Sequence, residues 1–136
     1  MLLLWDYLHG PGRNEMQEWA EGERLGIRER AQLNQKLDLL ERVGFDTAWS
    51  LGFVAGTAGD HSHVYKLIVK SQRMLRPMFC RWPVRMRDEV TLLCGAIEKD
   101  FKLHPANAAS RAEEHRKQLV CDISSGQERR VPHERF

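Results

Sequence analysis

What this sequence lacks narrows it before any motif does. It holds three cysteines, Cys80, Cys94 and Cys121, an odd number with no CxxC spacing. That count disfavours both a disulfide framework and a zinc site, and it predicts buried thiols in a reducing cytoplasm. No metal and no cofactor is expected. Long apolar runs are missing too. The opening MLLLWDYLH is far too short to cross a bilayer and has neither the basic flank nor the small-residue cleavage site of a signal peptide. It reads as the first strand of a cytoplasmic protein with no membrane partner. Net charge is nearly absent, +2 overall, too little by itself to indicate nucleic acid. No internal repeat or low-complexity tract is visible.

What is present is ordinary in amount and uneven in place. At 136 residues the chain suggests one domain, long enough to bury about two thirds of its unfolded surface. Between Lys66 and Arg87 every charged residue is basic, while Asp38, Glu41 and Asp46 lie upstream. Such a basic half suits an acidic partner or a phosphate backbone, and equally a solvated sheet face.

Along the chain, Leu2 to Leu8 forms the expected strand. Asn14 is placed to cap a helix carrying Met16, Trp19 and Ala20. A longer helix spans about 27–43, with Leu33, Leu37 and Leu40 as its apolar stripe and Gly44 as its stop. Residues 45–63 read as a loop, with a short strand or helical turn near Trp49 to Val54. VYKLIVK alternates as a strand, with Lys66, Ile68 and Lys70 on one side. MLRPMFCRWPV is a second strand, in which Pro77 and Pro83 hint at an edge or bulges. VTLLCGAI is the third. Pro105 suits the first residue of a closing helix whose inward row is Ala108, Ala112, His115 and Leu119. The predicted fold is α+β. An N-terminal strand and a three-strand meander form a small, mostly antiparallel sheet, packed on one face by two N-terminal helices. A C-terminal helix closes it, and the other face stays partly open and basic. Residues 1–121 make the domain and 122–136 a polar, frayed tail.

VYKLIV, LRPMFC and LLCGAIEKDFKLHPANAASRA, in this order, resemble the RelE/ParE superfamily of toxins, nearest to its phage-derived, HigB-like branch. Tyr65 and Leu67 match its Tyr-x-Leu strand, Arg76 its central strand arginine, and Lys99 its charged turn. Ala108 and Ala112 match the helix after the proline. Two features depart from the pattern: Ile68 stands where an arginine is common, and Glu98-Lys99 where a lysine pair is. Lys66, Lys70 and Arg81 are left to compensate.

The resemblance implies a RelE-like fold and a toxin of a type II toxin–antitoxin pair. Its partners would be a cognate helix-turn-helix antitoxin and messenger RNA on the ribosome. Cleavage would be a metal-independent attack of a ribose 2′-OH on the adjacent phosphate, which inhibits translation. That needs a base, a cationic seat for the phosphorane and an acid. Arg76 is the candidate seat, because a guanidinium fork matches phosphate oxygens; an ion pair with an acid such as Asp6 is the plainer alternative. Lys99 would share the transition-state charge, Asp100 would orient a base, and His104, then His63 and His61, are the candidate acids or bases, imidazole being the side chain whose unperturbed pKa lies nearest neutrality. RNA contacts would come from Lys66, Lys70, Arg73, Arg81 and Lys102, with Trp82 able to stack a base. Cys94 reads as packing and His115 as a satisfied core residue. Two other readings stay open: a non-enzymatic DNA gyrase inhibitor like the ParE branch, and a degenerate phage-derived binding protein that keeps only the fold.

Overall fold

The computed structural model describes residues 1–57, 62–81 and 88–136. It is a mixed α+β structure around one nine-stranded, mostly antiparallel open sheet. The chain begins with β1 (Leu3–Gly10) and β2 (Arg13–Asn14), then α1 (Glu15–Gly22), α2 (Ile27–Val43) and α3 (Phe45–Ser50). Strands β3 (Val54–Gly56), β4 (Tyr65–Leu67), β5 (Val69–Lys70), β6 (Met74–Cys80), β7 (Glu89–Lys99) and β8 (Lys102–His104) follow, then α4 (Ala108–Ser124) and β9 (Arg130–Pro132). The main strand order is β2-β1-β7-β6-β4-β3, with β5 on β6, β8 on β7 and β9 on β1. Only the β1–β7 pairing is parallel among these ladders.

Local chemistry explains the elements. The Asn14 side chain accepts from the Met16 and Gln17 amides and so caps α1 as predicted. Glu29 reaches back to the Gly26 amide at the start of α2. Gly44, at φ +83°, ends that helix in a conformation that suits glycine. Leu33, Leu37 and Leu40 of α2 are buried with Leu67, Val69, Leu75, Phe79 and Leu92, so α1, α2 and α3 cover one sheet face. Trp19 of α1 lies on the Gly95 backbone of β7. The opposite face holds Tyr7, Met78, Cys80, Leu93, Cys94 and Ala96 against Ala108, Ala112 and Leu119 of α4. His115 stacks on Tyr7 and bonds the Leu93 carbonyl, a satisfied core residue as expected.

Several expectations change. The sheet is not small: β2, β3, β5, β8 and β9 are two or three residues long, too short to show an alternating pattern in sequence. Pro77 is not on an edge. Strand β6 is central, and Pro77 fits because β4 and β5 are interrupted at Ile68, whose amide turns to the Phe53 carbonyl. No ladder bond from the β4–β5 side is asked of a residue without an N–H there. The hinted bulge does exist, between Met78 and Phe79. Pro83 lies outside the described residues. Pro105 does not open α4; it follows a cis peptide bond, and the helix begins at Ala108. The second face is partly open as expected, and α4 covers the rest of it. Cys80 and Cys94 are buried, whereas Cys121 is exposed.

The tail is not frayed. Helix α4 runs on to Ser124, and β9 pairs with β1 from Trp5 to Tyr7. His133 bonds buried Asp6 at 2.8 Å, and the Phe136 backbone makes two hydrogen bonds with the Asn34 side chain. A polar composition concealed a strand whose partner is the first in the chain.

Candidate nucleic-acid interface

Strand register divides the expected site residues between two faces. Arg76 pairs with Ala96, Lys66 with Met78, and Met74 with both Glu98 and Lys70. Directly opposed residues share a face, so Lys66, Lys70, Arg76 and Glu98 stand together on the α4 side. Arg76 is 4 % exposed, deep for a guanidinium. Its Nη2 donates to Glu98 Oε2 at 3.2 Å and its Nη1 to the Leu75 carbonyl at 3.0 Å. Its buried Nε has no hydrogen-bond partner among the described residues. Lys66 Nζ meets the other carboxylate oxygen of Glu98 at 3.5 Å. Burial pushes the Glu98 carboxyl up, but Arg76 and then Lys66 pull it further down, leaving it below the ordinary range.

Glu98 is thus the acid that pairs with Arg76. Asp6, the partner suggested from sequence, is instead held by His133 and Asn14. Glu98 is not among the site residues expected from the sequence, where it figures only as a lost cation. Its position two residues beyond Ala96, the residue opposite Arg76, was the signal, and it becomes visible only once register is known.

The β7–β8 hairpin collects another group. Ile97 pairs with His104 and Lys99 with Lys102. Ile97 packs on the α1–α2 side, so Lys99, Lys102 and His104 line the face opposite Arg76. Asp100 sits in the connecting turn. The four expected catalytic residues are therefore not convergent: Lys99 and His104 turn away from the guanidinium they were expected to assist.

Two expected RNA contacts are occupied structurally. Arg73 grips Glu29 through two bonds, of 2.9 and 2.8 Å, and also binds the side chain and carbonyl of Glu23. It braces the turn before β6 against the α1–α2 connection. Arg81 lies over the Phe45 ring at 4.1 Å and near Asp46, on the α3 side. His63 is exposed before β4. His61 and Trp82 lie outside the described residues. Burial drives the Cys94 thiol up to about 12, which makes it a packing residue and no nucleophile.

No group of three His, Cys, Asp or Glu among the described residues is arranged to hold a metal ion. No described helix is long and apolar enough to cross a membrane. No family model, curated protein or solved structure matches the chain.

The α4-side cluster can do one thing well. Two cations, one of them rigid and buried, converge on a single carboxylate, so the site is built to hold an anion. A phosphate has the charge and the oxygen spacing to replace that carboxylate.

Proposed function

We propose that this protein is a RelE/ParE-like toxin of a toxin–antitoxin pair. It cleaves messenger RNA on the ribosome, with Arg76 and Lys66 as the phosphate seat. The observation that carries the reading is Arg76 itself, a guanidinium buried in the middle of a sheet and sharing with Lys66 the partly exposed carboxylate of Glu98. The order of a first strand, helices α1 to α3, a meander and then α4 supports it as well.

In the cleavage step the 2′-OH attacks phosphorus, the bond to the 5′ oxygen breaks, that oxygen takes a proton from solvent, and Arg76 neutralises the charge gathered on the equatorial oxygens. A phosphate seated on Arg76 displaces Glu98. The freed carboxylate loses the cations that depress its pKa and becomes a better base, on the correct face to take the hydroxyl proton. Glu98 replaces His104 in that role, because His104 lies across the sheet.

The test is Arg76→Ala, assayed for unfolding and for cleavage on programmed ribosomes in one preparation. A folded variant should lose about a hundredfold or more in cleavage rate. A folded variant that cleaves at the wild-type rate would sink the assignment. The divergence of Lys99 and His104 favours a second reading, a non-enzymatic gyrase inhibitor. Pulse labelling separates the two: thymidine incorporation would then fail on expression before amino-acid incorporation does.

A further inference from the structure

The tip of the β7–β8 hairpin is unexplained by folding. Asp100 and Phe101 form its two-residue turn, at φ +52° and +64°. Turns with two left-handed residues favour Asn or Asp followed by Gly. Asp100 fits that rule, and Phe101 stands where glycine would relieve the backbone. The ring gains nothing in return, being 100 % exposed. Neither backbone preference nor apolar burial accounts for a phenylalanine here. On either side, Lys99 and Lys102 face each other in register. Neither has an ion-pair partner among the described residues.

We propose that Phe101 is a stacking platform for an unpaired RNA base, with Lys99 and Lys102 holding the phosphates beside it. An exposed ring between two cations is how proteins bind single strands: each base offers a π-face and each linkage a charge. This rests on the RNA reading above and places a second contact on it. Glu98 and Phe101 are three residues apart, at most about 10 Å through the chain. A strand whose phosphate sits on Arg76 would pass round the hairpin tip to meet Lys99 and Lys102, which lie on the other face.

The experiment uses the full chain and a fluorescein-labelled oligouridine, with anisotropy read at low salt and unfolding measured in parallel. Phe101→Gly should melt at a higher temperature, because the turn relaxes, yet bind about tenfold more weakly, in line with the loss of one stacked base. Phe101→Trp should keep the affinity and show quenched emission on binding. The double change Lys99→Ala and Lys102→Ala should flatten the salt dependence of affinity by roughly 0.7 per cation removed. A folded Phe101→Gly protein with wild-type affinity would overturn this inference and leave Arg76 untouched. A wild-type protein that ignores the oligomer also overturns it, and cleavage on programmed ribosomes then judges the Arg76 reading separately. Should Phe101→Gly abolish binding to phosphatidylglycerol vesicles and spare RNA, the tip is a membrane contact and the proposal fails.

Discussion

Gly95 lies beneath the indole of Trp19, and a Cβ added there would fall 2.0 Å from the ring. Trp19 packs against the core between α1 and the sheet, so it cannot swing aside without opening that seam. Gly95→Ala should therefore destabilise by about 1–3 kcal/mol, the usual cost of overpacking. Urea unfolding followed by tryptophan emission checks this, and an unchanged midpoint would refute it. The same scale shows why candidate residues were only partly legible. Arg76 stood out, since a guanidinium among Met78 and Cys80 is chemically conspicuous. Glu98 and Lys99 are neighbours in sequence and face opposite sides of the sheet. Which one meets Arg76 depends on a register that one sequence does not print.

Among the elements, the turn before β6 and the α1–α2 connection are joined by Arg73, Glu29 and Glu23. Hydrogen bonds from Arg73 hold the Glu29 carboxyl below its usual range although burial opposes this. A carboxyl depressed in the folded state adds stability above its unfolded pKa, and that stability is lost as pH falls through the folded pKa. Glu29→Gln, which can still accept the Gly26 amide, should thus weaken the protein near neutrality and flatten the decline in melting temperature below about pH 5. Equal acid slopes for variant and wild type would count against the brace. At this scale the long elements were readable, because α2 and the major strands carry strong periodicity. The short ones were not: β9 occupies a polar segment and exists because β1 offers it an edge.

For the molecule as a whole, α+β composition, the helices on one face and the inward row of α4 were legible, while the extent of the sheet was not. The C-terminal segment makes the difference. His133 is partner to buried Asp6, and the Arg130 guanidinium lies 4.2 Å over the Trp5 ring while pairing with buried Glu89. Deleting residues 125–136 would strip partners from three buried carboxylates, Asp6, Glu89 and Asp122, a type of loss that costs about 3–5 kcal/mol for each pair broken. The truncated chain should unfold well below the full one by calorimetry. Coincident transitions would show that the segment is dispensable.

The parallel seam between β1 and β7 also sets a timetable. Residues 3–6 pair with residues 89–92, and residues 5–7 with 130–132. Strand β1 is therefore synthesised before either of these neighbours. At 5–20 residues per second, its interior partner follows roughly 4–17 s later. Strands β3 to β6 can pair with near neighbours in the meantime, and β7 on its arrival joins them to β1. Until then Leu2, Leu4 and Trp5 travel as an unpaired apolar strand, the stretch a chaperone would be expected to hold.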